Sequence, residues 1–190
     1  FGTVGRPPYE PFNSYRDGVY VTSGDVDGDG STESVVAARK GRIGHVSLIK
    51  RGVDSTERLI DFNAYNPDVA PQSDISVEMG DLNGDGRDEI LTFATDDFTN
   101  VKTFKAFSIA GTAGVGSLPV EVLSYSARQM GTVASAAGKA SFSDLSFHGG
   151  PRVLLSANNG DGPVVSFVDI SYNDSTGYSF VETPVDLTAL

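Results

Sequence analysis

Two short segments hold most of the chemistry this chain can offer. Asp25–Glu33 reads DVDGDGSTE and Asp81–Glu89 reads DLNGDGRDE. In the first, carboxylates stand at places one, three, five and nine: Asp25, Asp27, Asp29 and Glu33. In the second, Asp81, Asn83, Asp85 and Glu89 take the same places. Gly28 and Gly30 let the backbone turn where a side chain would obstruct it, so alternate side chains can converge on one point. Acids this close repel one another unless a cation lies between them. Calcium is the cation that fits, because it is hard and takes roughly six to eight oxygens in flexible geometry, whereas magnesium keeps water and demands a strict octahedron. The carbonyl oxygens of Ser31 and Arg87, at place seven, are expected to join each set. Asn83 keeps an oxygen but loses a charge, which predicts the weaker of two calcium sites. Asp88 is expected to point outward. An EF-hand is excluded: its twelfth place would need Glu between helices, and here it holds Val36 or Thr92 in strand-like runs.

The elements that must position these loops follow from comparing the chain with itself. A shift of 56 residues carries Asp25 onto Asp81, Tyr9–Glu10–Pro11 onto Tyr65–Asn66–Pro67, and every glycine and acid of one loop onto the other, with Asn83 taking the place of Asp27. A further shift of 63 carries Asp81–Leu82 onto Asp144–Leu145 and Ile90–Leu91–Thr92 onto Val153–Leu154–Leu155. The third loop, Asp144–Arg152, has Ser146 and His148 where the others have acids, and Arg152 stands at place nine. A cationic side chain there should exclude calcium and take part of the cation space, so this loop is predicted empty. Each unit reads as four short strands. They are expected near 18–23, 34–38, 44–50 and 57–63, then 74–79, 90–95, 101–108 and 120–124, then 139–143, 152–157, 164–170 and 178–183. Asn159–Gly160 is a hairpin turn signal. Pro71, Pro119 and Pro163 fall between or at the start of strands, where a missing N–H does least harm.

The fold class expected is all-β, with β-propeller blades of four antiparallel strands. About three blades are expected, near 14–63, 74–124 and 138–183, in one propeller segment covering 1–190 whose ring is incomplete within this chain. Residues 1–13 are expected to complete a neighbouring blade. Further blades would come from the same precursor, from a partner chain or from a homodimer.

Among 190 residues there is no cysteine, so neither a disulfide nor a thiolate plays a part. The formal net charge of −11 argues against nucleic acid. No apolar run is long enough for a membrane span. The chain opens at Phe1, as expected of a mature, processed or excised chain. Catalytic patterns are missing: there is no G-x-S-x-G elbow, no phosphate-cradling glycine loop after a strand, and His45 and His148 are the two histidines. The main basic patch is Arg39–Lys40, Arg42 and Lys50–Arg51.

The segments GDVDGDGSTESVV and GDLNGDGRDEILT, with flanks YEPFNSYRDGVYVTSGD and YNPDVAPQSDISVEMGD, resemble the FG-GAP/VCBS class of β-propeller repeat in a bacterial variety, the class that includes the integrin α-subunit propeller. The resemblance is strong over 9–108 and weak beyond about residue 125. It implies that each loop joins the first and second strands of a blade and that its calcium is structural. The family usually has Asp at place nine; Glu33 and Glu89 are longer and would bind through two oxygens. The resemblance points to a secreted or cell-surface module that binds a glycan or protein partner without catalysis. A structural subunit of a surface assembly and an accessory region of a polysaccharide-active enzyme are the alternatives.

Overall fold

A computed structural model describes residues 10–13, 15–39, 44–52, 56–66, 75–95, 102–127, 139–143, 151–158 and 163–185. The architecture is all-β. Among the described residues, twelve strands form three antiparallel sheets that follow one another along the chain. The first holds β1 (Val19–Gly24), β2 (Glu33–Ala38), β3 (His45–Arg51) and β4 (Thr56–Asn63). The second holds β5 (Ile75–Gly80), β6 (Glu89–Thr95), β7 (Lys102–Ile109) and β8 (Pro119–Ala127). The third holds β9 (Lys139–Ser143), β10 (Arg152–Asn158), β11 (Pro163–Asn173) and β12 (Gly177–Val185). Within every sheet the strands neighbour each other in sequence order. The first strands β1, β5 and β9 of successive sheets touch, as in propeller-like blades set around a common axis.

Strand positions follow the expected pattern, with ends moved by a few residues. β8 and β11 run longer than the sequence suggested, and Pro119 and Pro163 open them. The Asn159–Gly160 turn, Pro71 and residues 144–150 of the third loop lie outside the described residues. Residues 10–13, expected to serve a neighbouring blade, form no strand; Phe12 is buried with Val36, Ala38 and Ile49 on one face of the first sheet.

The cores lie between sheets. Val35, Ala37, Val46 and Leu48 pack on Ile75, Val77, Ile90 and Phe107 between the first two blades. Leu91, Phe93, Phe104 and Leu123 pack on Val153, Val168 and Ile170 between the second and third. β6 therefore buries both faces: Ile90 and Ala94 turn to one core, Leu91 and Phe93 to the other. This explains why ILTFA is apolar without alternation, since side chains alternate between two faces that are both buried. Tyr65, in the connection leaving the first blade, donates to the carbonyls of Thr92 at 3.0 Å and Thr103 at 3.1 Å, tying blade one to blade two.

Candidate metal centre

Both acidic loops join the first strand of a sheet to its second, β1 to β2 and β5 to β6. Each begins and ends on a strand pair in register, Gly24 opposite Glu33 and Gly80 opposite Glu89, so place nine is held by the ladder. The glycines at places four and six adopt left-handed backbone, with φ of 72° and 80° at Gly28 and Gly30, and 79° and 83° at Gly84 and Gly86. A side chain would be strained at these four positions.

The internal hydrogen bonds of the two loops are nearly superimposable. The first acid accepts from the amides of places four, five and six. For Asp25 these are Gly28 at 2.7 Å, Asp29 at 3.1 Å and Gly30 at 2.8 Å. For Asp81 they are Gly84 at 2.7 Å, Asp85 at 3.2 Å and Gly86 at 2.9 Å. The acid at place five accepts from place seven, Ser31 N to Asp29 at 2.7 Å and Arg87 N to Asp85 at 2.9 Å. Asp and Asn side chains thus shape the turns before any ligand is considered.

Oxygens of Asp25, Asp27 and Asp29 all lie within 4.8 Å of one another. Among the described residues this is the one group of three metal-ligating side chains of that kind gathered so closely. Behind it sits Glu33, 0% exposed. Neither Glu33 oxygen accepts a well-formed hydrogen bond. Oε1 is ion-paired instead, 2.9 Å from Lys50 Nζ, which also reaches Asp29 Oδ2 at 3.0 Å. The hydrogen bond from Lys50, with that from Ser31, holds the Asp29 carboxyl below its ordinary value, and Glu33 and Asp29 together raise Lys50.

The second loop is arranged differently at its centre. Asn83 turns its amide nitrogen towards Asp85 Oδ2 at 3.1 Å and Glu89 Oε1 at 3.5 Å. Glu89 Oε2 accepts from Leu82 N at 2.8 Å. Burial pushes the Glu89 carboxyl up to about 7; the Leu82 amide opposes the rise, and the Asp85 and Asp81 carboxylates add to it.

Three contacts go beyond what the sequence suggested. Asp88 does not point outward: its Oδ2 accepts from Asp25 N at 2.9 Å, and its own amide donates to Asp25 O at 2.8 Å. This reciprocal clasp joins the loops of neighbouring blades, and its physical reason is the pairing of two amides and two acceptors that would otherwise be half-buried without partners. Asp27, 5% exposed, accepts from Ala113 N at 2.8 Å, so the connection between β7 and β8 closes over the first loop. Lys50, placed by sequence in a basic rim, bridges two acids of the site. The signals available for these were an acid at place eight, a glycine-rich connection and a basic residue, none of which names its partner. In the third unit, Arg152 pairs with Asp169 on β11 and lies over the Phe167 ring at 4.8 Å.

On β4, Asp61 is bonded by Ser47, by Arg58 at 2.8 Å and by His45 at 3.3 Å. Among the described residues no helix is long and apolar enough to cross a membrane. No family model, curated protein or solved structure matches the chain.

Proposed function

We propose that this chain is a calcium-stabilised binding or adhesion module of the FG-GAP/VCBS type, working outside the cell on a glycan or protein partner. The observation that carries the calcium reading is the convergence of Asp25, Asp27 and Asp29 beside the buried Glu33, with one ammonium, Lys50, shared between Asp29 and Glu33. Four carboxylates against one ammonium leave an excess of negative charge, and a hard divalent cation is the natural compensation. All the side-chain donors are oxygens, which suits calcium. Asp25, Asp27, Asp29, the Ser31 carbonyl and Glu33 would hold one ion. Asp81, Asn83, Asp85, the Arg87 carbonyl and Glu89 would hold a second, with the Asn83 amide turned over. The matched hydrogen-bond patterns of the two loops support treating them alike. Bound calcium would supply charge neutralisation and stiffness to the loops, while the residues themselves shape the turns and fix the blade junction.

The test is melting temperature against free calcium in protein stripped by a chelator. A ligand that binds only the folded form at about one hundred times its Kd adds about 2.7 kcal/mol. For a chain of this size that is roughly 5 to 11 °C. A melting temperature indifferent to millimolar calcium would overturn the reading. The role of assembly subunit has one observation in its favour: Val21 on the first sheet and Val181 on the third are 61% and 65% exposed.

A further inference from the structure

Each blade sets place nine of its loop beside one residue of its third strand. In the first sheet Ser34 stands opposite Ile49, so one step along the ladder Glu33 faces Lys50. In the second, Ile90 stands opposite Phe107, and the same step brings Glu89 to Ser108. In the third, Arg152 stands opposite Asp169. Residues opposite one another in a ladder share a face of the sheet, so their side chains are neighbours. The repeat therefore fills one position in three ways. The first blade has an ammonium beside a carboxylate, the second a hydroxyl beside a carboxylate, and the third an ion pair with its polarity reversed.

The Lys50 ammonium lies 2.9 Å from Glu33 Oε1 and 3.0 Å from Asp29 Oδ2, the acids of places nine and five. These are two of the side chains that would hold the first ion. An ammonium between two carboxylates already does part of a metal's work there, because it offsets their repulsion. Lys50 is 33% exposed and Glu33 not at all, so water and salt screen the pairing only in part. The stem is fixed in the ladder, with Glu57 opposite Lys50 on the far side, so the ammonium is held near these oxygens at high effective concentration. Four carboxylates less one ammonium leave the first loop at a formal −3, the same as Asp81, Asp85 and Glu89 give the second. The fourth acid therefore brings the first loop no surplus of charge, which a comparison of the two loop sequences alone does not show.

We infer that the Lys50 ammonium is a built-in competitor for the cation place of the first loop, so that calcium binds there only by displacing it, while Ser108 leaves the second loop without a competitor at that position. This rests on the calcium reading above and concerns how tightly the first loop binds. An ammonium and a divalent ion held by the same two carboxylates would be close neighbours of like charge, and like charges repel. Lys50 is the one that can leave, since its charge sits on a flexible four-carbon stem. Glu57, directly across the ladder on β4, stands ready to receive it. The third blade shows the same position setting charge without any acidic set of four. There place nine is cationic, and the residue opposite has become Asp169 to match. Before calcium arrives, the first loop is thus held by a counter-charge of its own, and its affinity is lowered by what that counter-charge contributes.

The experiment follows the Gly30 and Gly86 amides by two-dimensional NMR as calcium is added to the chelator-stripped full chain. Each amide donates to the first acid of its own loop, so each reports its own site. Lys50→Met keeps the length of the side chain and removes the charge. It should move the Gly30 midpoint to roughly tenfold lower calcium, equivalent to about 1.4 kcal/mol, and leave the Gly86 midpoint in place. A lysine that only braced the loop would give the opposite sign, with calcium bound more weakly once it is removed. Ser108→Lys installs the competitor in the second blade and should raise the Gly86 midpoint roughly tenfold while Gly30 stays put. The inference is overturned if the Gly30 midpoint of Lys50→Met is unmoved or rises. Should that variant fail to fold, an unmoved Gly86 midpoint in Ser108→Lys overturns it instead. Where both glycines respond to calcium in the parent and these shifts are absent, the calcium reading stands and the competition alone falls. Where neither glycine responds in the parent, both fall.

Discussion

Replacing Gly24 with alanine asks whether the clasp between blades is what the geometry says it is. Gly24 does not have left-handed backbone, so alanine meets no torsional penalty there. In an open position such a change would stabilise by about 0.4–1 kcal/mol, by stiffening the unfolded chain. Here a Cβ would run into Asp88 Oδ2 and lie 3.0 Å from its Cγ. The carboxylate must swing away, and the Asp25 amide loses a charged acceptor, worth about 1.5–3 kcal/mol. Gly24→Ala should therefore destabilise by about 2 kcal/mol, or roughly 4–8 °C for a chain of this size. Asp88→Ala loses the same hydrogen bond but relieves acidic crowding, and should cost about 1–2 kcal/mol. In the Asp88→Ala background only a 3.3 Å approach to the Asp88 Cβ remains, so Gly24→Ala should then be close to neutral. The pair should fall short of additivity by about 1.5 kcal/mol. The assay is urea unfolding followed by tyrosine fluorescence at fixed free calcium, in a chain with seven tyrosines and no tryptophan. Additivity within about 0.5 kcal/mol, or a neutral Gly24→Ala in the parent, would refute the clasp.

Tyr65→Phe removes the hydroxyl that donates to the Thr92 and Thr103 carbonyls and should lower stability by about 1–2 kcal/mol in urea unfolding, with the m-value unchanged. Asp27→Ala leaves the buried Ala113 amide without its acceptor; a loss of about 1–3 kcal/mol is expected, with faster amide exchange across residues 110–118. For Asp61, burial alone would raise the carboxyl, but hydrogen bonds from Ser47, Arg58 and His45 hold it below its ordinary value. A depressed folded value means the group stabilises fully above its unfolded pKa, about 3.9, and loses that contribution as pH falls through the folded value. Between pH 5 and pH 3 the stability of Asp61→Asn should consequently fall less steeply than that of the parent, as measured by chemical denaturation at each pH.

Much of the fold was legible because two short-range signals agree. Both loops combine acids at alternate places with glycines at places four and six, and the structure puts all four glycines in left-handed backbone. The strands after them are apolar on both faces because they sit between two cores, so the run from Ile90 to Ala94 marks a middle blade as well as a strand. What the sequence could not display were contacts between distant residues. Asp88 meets Asp25 across a separation of 63 residues, and Ala113 meets Asp27 across 86. An acid at place eight of an acidic loop reads as solvated until the neighbouring blade is in place. Lys50 follows the same rule: its position in a basic stretch says nothing of the two carboxylates its ammonium bridges.

The difference between the two junctions then follows from single residues. Repeat alignment places Gly80 where Gly24 stands, so the second blade offers the same glycine and the same first acid, Asp81, to its neighbour. Place eight of that neighbour cannot answer in the same way. At place eight it has Pro151, and its outer connection has shrunk to a turn. The second junction is held instead by aromatic contact, Tyr125 against Phe180 at 4.3 Å, and by the hydrogen bond from Tyr125 to Glu182. These contacts lie on the outer strands β8 and β12. A polar clasp at one junction and aromatic contact at the other are thus two outcomes of one repeated design. The first is fixed by a carboxylate that finds an amide, the second by a proline that cannot supply one.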